Sequence, residues 1–327
     1  MHAKKASKPI TLAIQRFDRT APLEGGILSP RDVTVLFVPP RVSVEGILSG
    51  VFDAAEMPLA HYAFLKDIGD PYTAIPVFTD RLFIQQYVYT RPDTGITSPG
   101  QLRGCRVLVP MYYMTASLWH RAMLEENYGI RPEEIAWHTT SPERDPRMRL
   151  PDGVAVVLTP GPHLGVEKLL NGTVDCLMTE GTPSLGEADR DKVVRLNSDL
   201  HALQKEYYRK TGFHIIVHLI VIRKEVISTR PELAEELCTA FDRAKEQAYR
   251  TLQNERLTSL PLMRSYLDET VSLFGADPWS YGLERNWKEL DQFLTHAHYQ
   301  GLTNNKLNPE ELFDNTARDY RFQAKLV

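Results

Sequence analysis

Apolar residues along this chain gather in short runs separated by segments of helical periodicity, a pattern that predicts mostly parallel sheets with helices packed on their faces. Strands are predicted at residues 11–14 and 33–38, separated by Gln15-Arg16-Phe17-Asp18-Arg19-Thr20, which is too polar for a core. In open α/β sheets ligands sit beyond the carboxyl ends of strands, so this turn is a candidate cleft wall. Residues 51–55 lead into Glu56, residues 59–68 read as a helix stopped before Gly69, and residues 74–78 deliver Asp80 and Arg81. The aromatic and β-branched run 83–90 reads as one strand that leaves the first lobe.

Residues 98–104 then predict a short helix, with Ser98 as N-cap, Pro99 at the first helical position and Gly104 as a left-handed stop. A strand at 105–109, an amphipathic helix at 114–128 ended by Gly129, strands at 135–138, 154–158 and 175–179, and a helix at 164–170 complete a second sheet. The charged, proline-bearing stretch 141–153 reads as a solvated loop. Residues 214–222, the most apolar run, carry the chain back. Leu233, Leu237, Phe241, Ala244 and Ala248 mark one long helix, and Leu283, Trp287, Leu290, Leu294 and Ala297 another. The expected architecture is a two-lobed α/β fold: residues 1–90 with 214–327 form a discontinuous first lobe, and residues 91–213 an inserted second.

A length of 327 residues suits two lobes of ~100–200 residues. Hydrophobic content of 43% and charged content of 24% are ordinary for globular chains, which removes disordered and fibrous classes. A net charge of −4 without a basic block argues against nucleic acid and anionic membranes as partners. The apolar run at 10–14 is too short for a secretory signal, and no run approaches the ~18–20 apolar residues of a spanning helix, so a cytoplasmic location is expected. Cys105, Cys176 and Cys238 are odd in number and far apart, and read as free buried thiols. Homo-oligomerisation stays open.

Several kinds of machinery are absent: there is no GxxxxGK, no GxGxxG after a strand and no GxSxG elbow. His214 and His218 on one strand would lie ~13 Å apart, too far to chelate one ion. His296 and His298, at i,i+2 on a helix, diverge. No metal site is predicted, although a divalent metal held by distant residues stays open. Six polar residues remain at strand ends and one helix start: Asp18, Arg19, Glu56, Arg81, Thr115 and His218. Each alone reads as a solvated turn or a core histidine; together they could face one cleft. The first amides of the helix near Met114 lack internal partners and favour a carboxylate, with Thr115 adding a hydroxyl.

The order of these features resembles the 4,5-dihydroxyphthalate decarboxylase family. Phe17-Asp18-Arg19-Thr20 is similar to its YDR turn, Phe52-Asp53-Ala54-Ala55-Glu56-Met57 to FDxAEM, and Ala74-Ile75-Pro76-Val77-Phe78 with Arg81 to AIPVFPSR. Tyr112, Met114-Thr115-Ala116 and Trp119 to Arg121 are similar to its YQMTAAVWIRG segment. Tyr207-Tyr208-Arg209-Lys210-Thr211-Gly212 with His218 and Val221-Ile222-Arg223 follow YYRRTG…HVVVIR, and Asp277-Pro278-Trp279, Tyr281-Gly282 and Asn286 follow DPWPYGxxxN. The resemblance runs from about residue 10 to about residue 314. It implies a type II periplasmic-binding-protein-like fold and a decarboxylase of a small aromatic carboxylate, without an organic cofactor. By this resemblance Arg19 and Arg81 anchor the ligand with Tyr112, Met114 and Thr115, His218 or Glu56 donates a proton, and Asp18 orients the donor. As turn residues, the two arginines are expected to add little to stability. Departures at Ile84, Gln85, Met111 and Gly181 imply a changed acid. A solute-binding protein for an organic acid, or another lyase on this fold, remains the alternative.

Overall fold

A computed structural model describes residues 9–162 and 164–326. The chain runs β1 (Ile10–Ile14), β2 (Val33–Phe37), α1 (Pro40–Leu48), β3 (Ala54–Pro58), α2 (Leu59–Asp67), β4 (Tyr72–Leu82), β5 (Val88–Thr90), β6 (Arg106–Val109), α3 (Thr115–Tyr128), β7 (Ala136–Thr139), β8 (Val156–Leu158), α4 (Val166–Leu170), β9 (Cys176–Met178), β10 (Val194–Arg195), α5 (Leu200–Thr211), β11 (Ile215–Arg223), α6 (Lys224–Thr229), α7 (Leu233–Gln253), α8 (Met263–Phe274) and α9 (Leu283–Tyr299). Two mixed sheets result, with strand orders β2-β1-β3-β11-β4 and β10-β5-β9-β6-β7-β8.

β11 sits between β3 and β4, antiparallel to both, and eight of its nine residues are buried. Its run Ile-Ile-Val-His-Leu-Ile-Val-Ile is β-branched and apolar on both faces because both faces are covered. Each fully buried Ile, Leu or Val there contributes ~1.5–3 kcal/mol of burial free energy. The long helices follow the periodicity seen in sequence: Leu233, Leu237, Phe241, Ala244 and Ala248 are buried on α7, and Leu283, Leu290, Leu294 and Ala297 on α9, while Trp287 is exposed. Gly129, at φ 63°, closes α3 in the left-handed conformation a β-carbon would strain.

Several expectations change. The run 83–90 is not one strand: a 3-10 turn at Ile84–Gln86 breaks it, and β5 joins the second sheet, so the change of sheet falls before Val88 rather than after residue 90. Only Pro99–Gln101 of the 98–104 segment is helical, as a single 3-10 turn capped by Ser98, although Gly104 does take a left-handed φ of 76°. Cys105 is partly exposed, whereas Cys176 and Cys238 are buried; all three are unbridged.

The largest change concerns Arg81. β4 continues through Leu82, so Arg81 lies within a strand instead of a turn, and only 4% of its surface is exposed. Its Nη1 donates to the His214 carbonyl at 2.6 Å, and its Nη2 donates to the Ser280 carbonyl and to Asn286 Oδ1, each at 2.6 Å. Glu289 Oε2 lies 3.5 Å from Nη1. Burial pushes the Glu289 carboxyl up to about 7, with the Arg81 charge opposing that rise. The guanidinium therefore joins β4, the start of β11 and α9 inside the core, and the expectation that it adds little to stability is corrected. Removing one member of a buried, hydrogen-bonded charge cluster costs ~3–5 kcal/mol. Urea unfolding of Arg81→Ala should show a loss of that size, whereas Arg41→Ala, which breaks the exposed Arg41–Glu45 pair, should change stability by less than ~0.5 kcal/mol.

Candidate active site

Strand register fixes the central group. Ile220 of β11 faces Glu56 of β3, His218 lies two residues before Ile220, and side chains two apart on a strand share a face. Glu56 and His218 are thus diagonal neighbours on one side of the sheet. Asp80 of β4 pairs directly with His218, and register shifts on both sides of His218 mark bulges in the β11–β4 pairing. The carboxyl ends of β1, β3 and β4 consequently deliver Gln15, Glu56 and Asp80 around one histidine.

Glu56 is 1% exposed, and an unpaired carboxylate there would be very costly. Three groups compensate it. His218 Nδ1 lies 2.7 Å from Oε1, the Gln15 amide N–H donates to Oε2 at 2.8 Å, and Gln15 Nε2 donates to Oε1 at 2.9 Å. A carboxylate only accepts, so the His218 proton facing it sits on Nδ1 and Nε2 is the ring nitrogen turned away from Glu56. Burial opposes charge on both partners, but their mutual hydrogen bond and attraction prevail: His218 is raised above its ordinary value and Glu56 lowered below its own. Asp80 Oδ2, 3.9 Å from His218 Nδ1, adds to the rise; burial in turn pushes the Asp80 carboxyl up.

These groups open onto a cavity of about 260 Å³. Gln15, Pro58, Asp80 and His218 wall it from the first sheet and His61 from the start of α2; Met111, Tyr113, Met114, Thr115 and Ala116 wall it from the β6–α3 connection and the start of α3. α3 begins there without a side-chain cap, so its first amides are available to an anion. Thr115 Oγ1 accepts from the Ala60 amide at 3.1 Å, which ties the start of α3 to the start of α2. Residues of the 141–153 stretch close another side, with Glu143, Arg144 and Met148 on the wall. Glu143 accepts from the Tyr113 amide at 3.1 Å, and burial pushes its carboxyl up.

No family model matches the chain. The 4,5-dihydroxyphthalate decarboxylase of Comamonas testosteroni is 32% identical over 315 residues, spanning 93% of this chain and 96% of that protein. The chain belongs to the 4,5-dihydroxyphthalate decarboxylase family, a family of carboxy-lyases. The enzyme of that name from Pseudomonas putida is 28% identical over 213 residues, 62% of this chain and 83% of that protein. The alkanesulfonate-binding protein SsuA of Xanthomonas axonopodis pv. citri, solved bound to MOPS, matches with a TM-score of 0.55 at 10% identity, covering 91% of this chain and 95% of that one. The periplasmic aliphatic sulphonate binding protein SsuA of Escherichia coli matches at 0.52 and 13% identity, covering 94% and 92%. The fold is that of the type II periplasmic binding proteins.

Within the family-like segments, the structure separates residues that the sequence groups together. Glu56, His218, Met114 and Thr115 meet at the cavity or directly behind it. Arg19 does not reach the wall: its Nε donates to the Thr79 carbonyl at 3.0 Å, Nη2 donates to the same oxygen, and its guanidinium lies 3.5 Å from the centre of the Trp279 ring. Arg81 is spent in the core. Asp18 is exposed and paired with Arg19 at 3.1 Å, whereas the carboxylate hydrogen-bonded to His218 is that of Glu56. Tyr112 is buried under Arg121 and against Trp137, off the cavity. Arg144 is the sole arginine or lysine among the described lining residues, and it comes from the stretch expected to be a solvated loop. Sequence reasoning also passed over His61 and Glu143, and Asp80, delivered with Arg81 by the run 74–78, was not taken as a site residue.

Among the described residues no group of three or more His, Cys, Asp or Glu is placed to hold a metal ion. The ion pair has a pH signature. With its folded value raised, His218 contributes stability that is complete below the unfolded histidine value and lost as pH rises through the folded one; depressed Glu56 contributes stability present above the unfolded carboxylate value and lost as pH falls through its folded one. An NMR titration of the His218 ring should therefore give a midpoint above ~6.5, and Glu56→Gln should move it to lower pH.

Proposed function

We propose that this protein decarboxylates a hydroxylated aromatic carboxylate in the cavity beside His218, with the protonated imidazole as general acid. The observation that carries this reading is the Glu56–His218 pair at 2.7 Å, buried behind a cavity whose opposite wall is an uncapped helix start. Family membership supports the same chemistry, and 4,5-dihydroxyphthalate, the compound in the relatives' names, is the first to test.

Losing CO2 from an aromatic ring requires a proton at the carbon that bears the carboxylate. That carbon becomes tetrahedral, the bond to the carboxylate then breaks, its electron pair restores the aromatic ring and CO2 departs. His218 Nε2 supplies the proton and is reprotonated from water, while Glu56 fixes the tautomer and keeps the imidazolium charged near neutrality. The α3 amides and Arg144 hold anionic oxygens of the ligand, and the methionine-rich wall excludes water from the ring. The scheme needs no organic cofactor and no metal, and the site would operate in the cytoplasm.

The test is CO2 release from 4,5-dihydroxyphthalate and from hydroxylated benzoates. His218→Gln should lower single-turnover release by ~10²–10⁴-fold while the protein still folds, because the glutamine amide can donate to Glu56 but cannot act as an acid. Turnover should persist after dialysis against a chelator; loss that a divalent cation restores would replace this scheme with a metal-assisted one. Tight binding of these acids with no CO2 from any of them would favour a ligand-binding role.

A further inference from the structure

Resting on the decarboxylase reading of this same cavity, we propose that His61 recognises the substrate by hydrogen-bonding, through Nε2, a hydroxyl group on its aromatic ring. His61 is the third residue of α2, in a stretch from Leu59 to Leu65 that is buried throughout. Two polar side chains interrupt that stretch. Tyr62 donates its hydroxyl to the Leu312 carbonyl, so its polar atom is satisfied inside the protein. His61 is 4% exposed and lines the cavity, yet its buried Nε2 has no hydrogen-bond partner. A buried ring nitrogen without a partner is destabilising, and one on a cavity wall is placed to be completed by a ligand.

The chemistry of that something follows from the charge state. Burial pushes the His61 pKa down to about 4, with Asp145 opposing, so the ring is neutral near pH 7. A neutral imidazole offers one donor and one acceptor and no charge. It is therefore a poor anchor for a carboxylate, a task that Arg144 and the start of α3 can meet, and a good partner for a hydroxyl, which both donates and accepts. The surrounding wall is largely apolar, with Leu82, Met111, Met148 and Val217 among its members, so the flat face of a ring can lie against it while His61 meets its edge.

The experiment compares acids that differ only in ring hydroxyls: benzoate against 4-hydroxybenzoate and 3,4-dihydroxybenzoate, and phthalate against 4,5-dihydroxyphthalate, each titrated calorimetrically into wild type, His61→Phe and His61→Asn. In wild type the hydroxylated member of at least one pair should bind ~10-fold tighter or more, the worth of one well-placed hydrogen bond. His61→Phe should bring that ratio close to one while affinity for the parent acid stays within about threefold, and His61→Asn, which keeps a hydrogen-bonding edge, should retain part of it. Melting curves check folding, and His61→Leu carries the comparison if the phenylalanine variant does not fold. An unchanged ratio in the apolar variant, no hydroxyl preference in wild type, or no binding by any of these acids would overturn the assignment. The two readings separate cleanly. Hydroxyl preference lost in His61→Phe without CO2 release from any acid keeps His61 and removes the decarboxylase; CO2 release with the ratio intact does the reverse.

Discussion

The site depends on one electrostatic constraint, the burial of the Glu56 carboxylate in the middle of the first sheet. A carboxylate so placed must be surrounded by donors or become neutral. Here Gln15 and His218 supply the donors, and both are delivered by neighbouring strands whose register is set by apolar packing. The constraint works in both directions. Glu56 is held below its ordinary value because His218 is beside it, and His218 is held above its own despite burial because Glu56 is beside it. A rigid sheet thereby fixes the His218 ring with its second nitrogen directed away from the pair, the preorganisation that the proposed general acid needs.

The opposite wall is built differently. It comes from the turn into α3 and from the 141–153 stretch, joined to the first sheet's elements by a few polar links: Thr115 to the Ala60 amide, and Arg147 to Asp70 at 2.8 and 3.1 Å. Arg147 also holds Asp145 at 2.7 Å, which stiffens the stretch that presents Glu143 and Arg144 to the cavity. The Glu56–His218 pair on a sheet therefore faces a wall held by side-chain contacts. Differences between ligands within such a site are more readily accommodated on the second side, because changing it leaves the Glu56–His218 geometry intact.

Much of this was legible in the sequence. The return strand, the long helices and the start of α3 follow from periodicity and stop signals, since apolar spacing is what the core selects. Glu56, His218 and Thr115 were legible as polar residues stranded at the ends or inside of apolar runs. The fates of Arg19 and Arg81 were not. A charged residue near a strand end looks the same in sequence whether its side chain enters a cavity or the core, and the carbonyls that claim Arg81 lie 133 and 199 residues away. His61 was hidden for the opposite reason: one histidine in a buried helix looks like a core residue, and only its place on the cavity wall together with the missing partner at Nε2 distinguishes it. The 141–153 stretch is the mostly exposed loop its charges suggest, yet several of those charges face Asp70, the Tyr113 amide or the cavity, which composition does not reveal.

The two arginines still bear on the chemistry, through the strand between them. Arg19 holds the carbonyl of Thr79, and its guanidinium lies over Trp279, whose indole N–H donates to the Phe78 carbonyl at 2.8 Å. On the other side of Asp80, Arg81 is fastened to His214, Ser280 and Asn286. Asp277, next to this cluster, is itself held by Lys245 at 3.0 Å and Tyr249 at 2.7 Å. Residues 78, 79 and 81 are thus pinned by groups from the β1 turn and the α7–α9 region, and Asp80 is the member of that segment left facing His218. Pinning of this kind is what a bulged strand needs, since a bulge breaks the regular ladder and leaves backbone groups to be satisfied by side chains. Family-like segments that carry arginine, tryptophan and asparagine here hold the scaffold in register, and the acid beside His218 takes its position from them.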